Sequence, residues 1–336
     1  MMEKLIEKIR TKAAETSFSG VVSVSRGGKQ LYGEAFGYAD IANIRENRLK
    51  TKFAIASGTK LFTALGIGTL IDAGKLSLQT TVKDIFGKDF SYVHPKATIA
   101  QFLTHSSGIW DYYDEDMDID PENFNVAIPW SQLQTPSDYS PLFENQRPKY
   151  FPGEKFSYSN GGFIFLGVII EHLTGQLYRD YIKEHVFTPA GMRDSGYFAF
   201  NQLPGNTAYG YKTSGETNIY NLPVRGGSDG GAYTTAPDVK NLWKALWGNK
   251  ILSKALTKEY LIPHITIDDP VKYGYGLYIS QFSGMDMYFF VGGDAGVGFD
   301  SRYIPEKDLQ ITIISNFTDG EEKIRDVIYA NLGTIS

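Results

Sequence analysis

Ser57 and Lys60 stand one helical turn apart in the stretch 54-AIASGTKLFTA-64. Residues three apart share one helical face. If a helix opens here, the lysine amine lies beside the serine hydroxyl. A lysine held in a dry cleft has a lowered pKa, and its neutral amine can take the serine proton. Ser57 would then be a nucleophile at the positive end of the helix dipole, where a developing oxyanion is favoured. As a bare pattern this is weak, because chance supplies roughly one or two such pairs in a chain of this size. It nevertheless occurs only once here, after an extended apolar segment, Phe53-Ala54-Ile55-Ala56. The alternative makes Ser57 an N-cap and Lys60 a solvated first-turn residue. Local sequence alone weighs the two about evenly.

Two further stretches carry usable chemistry. In 151-FPGEKFSYSNGGF-163, Tyr158 and Asn160 are two apart, so an extended backbone points both to one side. A tyrosine beside a lysine cation can act as acid or base, and an asparagine amide can both donate to and accept from a substrate amide. Read blandly, Ser-Asn-Gly-Gly is ordinary turn chemistry. In 291-VGGDAGVGFDSRY-303 a glycine-rich segment joins two strands. It either lets a substrate lie against backbone N–H groups at a strand edge or makes a hairpin turn. Gly226-Gly227-Ser228-Asp229-Gly230 is a formal G-x-S-x-G, but the helix that a nucleophile elbow needs begins only near Pro237. None of the five histidines falls in a metal-ligand pattern, and His105 reads as structural. The acidic run 114-DEDMDIDPE-122 lacks the glycine and final glutamate of a calcium loop and reads as solvated. Trp110, Tyr112 and Tyr113 just before it either line a cleft mouth or pack a lobe.

The elements that must position these residues follow from periodicity. Residues 21–26 and 30–40 are strand-like and joined by Gly27-Gly28, a hairpin signal. Helices are expected over about 59–72, 163–175, 237–247 and 321–332. Strands are expected over 275–282, 286–291, 299–304 and 309–316. Strands at both ends of the chain with helices between them predict an α/β fold of the α+β type. One antiparallel sheet would draw on both termini, flanked by helices. A mostly helical lobe, about residues 75–195, would be inserted within a single domain of 336 residues. The cleft between sheet and lobe is the natural place for a site.

Bulk composition narrows the partners. Hydrophobic residues make up 42% and charged residues 21%, as in soluble globular chains. A net charge of −5 argues against nucleic acid or an anionic membrane surface. Without cysteine there is no disulfide, thiol catalysis or thiolate metal site. The opening MMEKLIEKIRTKAAE reads as an amphipathic helix rather than a signal peptide, and no apolar run is long enough to span a bilayer. The expected location is cytoplasmic, or exported if a leader preceded this sequence.

Taken in order, these stretches resemble the serine β-lactamase and penicillin-binding-protein family, in the branch of class C β-lactamases, DD-peptidases and related esterases. Ser57-Gly58-Thr59-Lys60 matches its S-x-x-K motif and Tyr158-Ser159-Asn160 its Y-x-N motif. The segment 103-LTHSSG-108 is similar to L-T-H-T-S-G, and 226-GGSDGGAYTTAPDVKNL-242 to the glycine-rich turn and helix of the family. The resemblance runs over about residues 18–332. It implies a β-lactamase/transpeptidase-like fold and acyl transfer through a Ser57 acyl-enzyme, with Lys60 as base and Tyr158 as proton relay. Asn160 would position the acyl-side amide, and no metal or organic cofactor is implied. The third family motif, K-T-G or H-x-G, falls on Gly292-Gly293-Asp294 when anchored on Gly298-Phe299, so its cation or imidazole is missing. Ala295 N–H would join Ser57 N–H in holding the oxyanion. The implied substrates are small molecules or peptides: esters, D-amino-acid peptides or amides, and β-lactams. The missing cation tilts against carboxylate-bearing substrates and tight β-lactam binding. The alternative is a non-catalytic, sensor-like relative.

Overall fold

The structure, a computed structural model, describes residues 2–117 and 119–335. Helix α1 (Met2–Glu15) precedes the hairpin of β1 (Gly20–Arg26) and β2 (Lys29–Phe36). Gly27 and Gly28 make its two-residue turn with φ of 56° and 73°, the left-handed pair that such a turn requires. Helix α2 (Thr59–Asp72) follows, then α3 (Asn160–Thr174) and α4 (Ala236–Trp247). The C-terminal part supplies β3 (Ile265–Asp268), β4 (Val271–Tyr273), β5 (Tyr278–Phe282), β6 (Met285–Asp294), β7 (Val297–Ile304) and β8 (Leu309–Ser315), and α5 (Glu322–Ala330) comes last. The sheet has eight antiparallel strands in the order β2-β1-β8-β7-β6-β5-β4-β3. This is the mixed fold that the pattern of strands at both chain ends predicted. Residues 75–195 contribute helices and loops and no strand of this sheet.

Register explains how one sheet covers two cores. Val22 faces Ile313 and Val24 faces Ile311 across β1 and β8. These side chains pack with Leu5, Ile9 and Ala13 of α1 and Ile324 and Ile328 of α5. The intervening pair, Val21 and Ile314, points to the other face and joins the large core of α2, α3 and α4. Because side chains alternate along a strand, a strand covered on both faces is buried throughout, as β8 is, with Thr312 meeting Ser301 through a hydroxyl contact inside the sheet. Helix α2 is buried on nearly every side, which is what an all-round apolar helix requires.

Three differences from expectation bear on the sheet and the site. Helix α3 begins at Asn160 rather than 163, because Ser159 caps it by accepting the Gly162 N–H at 2.9 Å. Strand β6 runs on to Asp294 instead of stopping at 291, held by pairing of Gly292 with Phe299 and Gly293 with Gly298. The hairpin β3–β4 was not expected: apart from buried Tyr273 its residues are partly buried or exposed and alternate weakly.

The α1 seat is testable. Ile9 is fully buried, so Ile9→Ala should lower unfolding free energy by about 2–5 kcal/mol, measured by urea titration. Lys4→Ala, on the exposed face, should change it by less than about 0.5 kcal/mol.

Candidate active site

Ser57 lies in one 3₁₀ turn, Ala56–Gly58, between the short strand Phe53–Ala54 and α2. It is not the cap of α2: that position is Gly58, and no side chain caps it. Thr59 pins the turn, donating to Ala56 O at 2.7 Å and accepting the Ala232 N–H at 2.9 Å. The lysine reading resolves as sharply. Lys60 is 2% exposed, so it is no solvated surface residue. Its Nζ donates to Ser57 Oγ at 2.9 Å, to Asn160 Oδ1 at 2.6 Å and to the Asp229 carbonyl at 2.8 Å. Three donors meet three acceptors, which fixes the amine in place. Burial lowers the Lys60 pKa, opposed by the negative charges of Asp229, Glu115, Asp111 and Asp294.

Tyr158 and Asn160 come to the same amine. The Tyr158 ring centre lies 4.8 Å from Lys60 Nζ. Burial pushes the phenol well above its ordinary value, and its hydrogen bond with Ser57 opposes the rise. The phenol is therefore protonated at neutral pH. His105 orients it, stacking on the Tyr158 ring with centroids 4.3 Å apart. His105 Nδ1 accepts the Ser159 N–H at 3.0 Å, and its Nε2 meets Tyr273 Oη at 3.1 Å. Burial and the Lys60 charge keep this histidine neutral, so its proton sits on Nε2. His105 is thus structural, as its sequence setting suggested.

Asn160 opens α3 instead of continuing an extended segment. Its N–H donates to Asp111 Oδ2 at 2.7 Å, and the Gly161 N–H to Asp111 Oδ1 at 2.9 Å. A carboxylate at a helix N-terminus satisfies orphan donors and meets the positive end of the dipole. The Asn160 amide is spent on Lys60, on Tyr113 O at 2.9 Å and on Glu115 Oε1 at 3.1 Å. A substrate amide must therefore displace one of these partners.

The strand edge forms the opposite wall. A side chain at Gly292 would put Cβ 2.2 Å from Ile55 O and 2.8 Å from Ser57 N, so only glycine lets β6 come this close. Gly293 is exposed along the cleft. The Ala295 N–H donates to Asp294 Oδ1 at 2.8 Å, and Ala295 O accepts from Asn218 Nδ2 at 2.7 Å. The proposed second oxyanion donor is thus occupied by a carboxylate. Burial pushes the Asp294 carboxyl up to about 7, with the charges of Asp229 and Glu115 adding to the rise and the Ala295 N–H opposing it.

Sequence reasoning missed Asp111, Glu115 and Asp229. Asp229 sits in the glycine-rich turn, where its carbonyl holds Lys60 and its Oδ2 accepts the Tyr112 hydroxyl at 2.6 Å. The run 114–122 is not simply solvated. Asp114 pairs with Lys149 at 2.7 Å, Glu122 accepts from Thr213 N at 2.8 Å, and Glu115 faces the cleft. Tyr112 and Tyr113 line that cleft too. Ser228 is fully buried, with Oγ 3.4 Å from Ile164 O, and does not line the cleft.

This arrangement can be compared with known proteins. The family model described as Beta-lactamase matches residues 5–333. The chain belongs to the β-lactamase family. A penicillin-binding protein of Bacillus subtilis is 30% identical over 286 residues, 79% of this chain and 60% of the relative. The chain spans 60% of the length of that relative and 66% of a second from the same organism. The solved penicillin-binding protein of Bacillus halodurans superposes with a TM-score of 0.90 at 39% identity, covering 96% of this chain and 99% of the other. The D-amino acid amidase of Ochrobactrum anthropi SV3, complexed with D-phenylalanine, shares the fold, with a TM-score of 0.81 at 20% identity over 99% of each chain.

The close approach of β6 to Ser57 gives a direct test. Gly292→Ala should destabilise this β-lactamase-family chain by about 1–3 kcal/mol in thermal or urea unfolding. Gly205→Ala, where a Cβ meets open space, should change stability by less than about 0.5 kcal/mol.

Proposed function

We propose that this chain is a serine hydrolase that works through an acyl-enzyme on Ser57. The observation that carries the reading is the 2.9 Å contact between Lys60 Nζ and Ser57 Oγ, with the lysine buried and its pKa lowered. In its neutral form Lys60 takes the Ser57 proton as Oγ attacks the substrate carbonyl. Tyr158, protonated at neutral pH, passes a proton to the leaving group, and the lysine proton restores the phenol. Water then attacks the acyl-enzyme and frees Ser57. Asn160 positions the acyl side, and the Ser57 N–H with that of Ala295 steadies the oxyanion once Asp294 releases the latter. Gly293, exposed along the cleft, leaves room for the substrate, while Gly292 lets β6 pack against the Ser57 turn.

Esters and amides, including D-amino-acid amides, are the favoured substrates, with slow β-lactam turnover. This weighting rests on the absence of a cationic side chain at Gly292-Gly293-Asp294, and the amidase of like fold agrees with it. A sensor that is acylated but not turned over is the second reading.

A fluorescent penicillin and a panel of nitrophenyl esters separate these readings. Hydrolysis that disappears in Ser57→Ala and falls about 10²–10⁴-fold in Lys60→Ala is the expected result. Stable label without turnover supports the sensor, and turnover that survives Ser57→Ala rules out the mechanism. The pH profile adds a sign. Since the acting form of Lys60 is unprotonated, kcat/KM for a neutral ester should rise with pH. The midpoint should lie below the ordinary lysine value of 10.5, because burial lowers it.

A further inference from the structure

The cleft around Ser57 is acid-lined: Lys149 meets Asp114 and Asp116 at its outer rim, but among the described residues no base forms an ion pair with Glu115, Asp229 or Asp294. One hollow lies over Ser57 between Tyr113, Glu115, Asp229 and Asp294. A second, a cavity of about 60 Å³, runs behind Gly230 and Gly231 and is shared by Asp229, Asp294 and Tyr139. A third is the wide mouth along Gly293, walled by Glu115, Asp116, Asp294 and Asp319. No lysine, arginine or histidine among the described residues lines any of the three. Lys60 lies below them with all three donors committed.

Two polar groups are left incomplete here. Asp294 uses Oδ1 on the Ala295 N–H, and its Oδ2, which makes no hydrogen bond among the described residues, is open to the cleft, where water or a ligand can meet it. Tyr139 is 1% exposed and lines the same cavity as Asp294 and Asp229. Its hydroxyl lies beside the Tyr112 hydroxyl and makes no hydrogen bond of normal geometry. A buried polar group without a partner is unfavourable unless a ligand completes it.

We propose that the cleft selects acyl compounds carrying a primary ammonium group beside the reactive carbonyl, such as amides or esters of amino acids with a free amine, gripped by Asp294 and Glu115. This rests on Ser57 being the nucleophile. The charge logic is direct. In its ionised form Asp294, whose carboxyl lies at about 7, repels the charge that develops at the oxyanion position, and in its resting place it also occupies the Ala295 N–H. A substrate ammonium neutralises Asp294, competes for its oxygen and frees that N–H for the oxyanion. A substrate carboxylate would meet like charge in a poorly solvated cleft. The cation thus does two jobs: it anchors the substrate and completes the site.

The test compares 4-nitroanilides of D- and L-alanine with the neutral isobutyryl and the anionic succinyl 4-nitroanilides at about pH 7, where an α-amino group is largely protonated. One alanine enantiomer should exceed isobutyryl in kcat/KM by about tenfold or more, with succinyl poorest. Asp294→Ala should reduce that ratio about tenfold, and Glu115→Gln, at an exposed position, about threefold. Calorimetry of alaninamide against isobutyramide on Ser57→Ala protein reads the same preference without turnover. The preference should vanish when Asp294→Ala is added. Equal or better binding of the neutral compound overturns the inference whatever the turnover, and so does a ratio that ignores both acidic residues. Hydrolysis persisting in Ser57→Ala overturns the nucleophile assignment instead, so the two failures remain distinct.

Discussion

A lysine amine removed from water has to be given acceptors, and the structure is organised around that demand. Lys60 is almost wholly buried, and desolvating a charge without compensation costs several kcal/mol. Its three acceptors come from the turn before α2, the first residue of α3 and the glycine-rich turn at Asp229. One amine therefore ties together segments about a hundred and more residues apart. Two of these segments are held in turn by further contacts. Asp111 grips the opening N–H groups of α3, and His105 holds Ser159 just before it. Thr63 donates to the carbonyl of Ser228, next to Asp229. The same burial that makes the amine expensive favours its neutral form, which is the form able to take a proton.

The sheet supplies the other constraint. Strand β6 must pass within van der Waals reach of the Ser57 turn, which only Gly292 permits. The far face of the sheet is sealed by α1 and α5 through Ile9, Ile324 and their neighbours. The strand edge that borders the cleft is therefore held between two cores and cannot retreat from Ser57 without disturbing both. A site built on such rigid elements keeps its geometry better than one built on loops alone.

What could be read in the sequence was what is local. The Ser57–Lys60 spacing, the apolar run of α2 and the hairpin at Gly27-Gly28 are all encoded within a few residues. Tyr158, Asn160 and the glycine-rich β6 edge were also legible as local stretches, and the family resemblance added the order and spacing that tied them to Ser57. The rest depends on contacts that no short window records. Asp111 meets Asn160 across 49 positions and Asp229 meets Lys60 across 169. Ser159-Asn160-Gly161-Gly162 looked like a turn because glycine is a poor helix former, yet Asp111 and Ser159 cap it into a helix start. The acidic run after Tyr113 looked solvated because charge usually means solvent. Lys149 and the threonines that bind Glu122 instead fold it over the cleft.

At the third motif the sequence told of a missing cation, and the structure turns that absence into an inversion. Lacking a positive group would leave the cleft neutral toward charge. Placing Asp294 there, with Glu115 and Asp229 nearby, makes it negative. In the proposed mechanism attack and grip are borne by different segments: the start of α2 and the loop before α3 carry Lys60 and Tyr158, and the end of β6 with the acidic loop carries the charge that would meet a ligand. The Asp294 side chain makes no contact with Lys60 short enough to be an ion pair. It influences the amine only through its field. Substitutions at the end of β6 can therefore change which charge the cleft accepts while leaving the hydrogen bonds of the buried lysine intact.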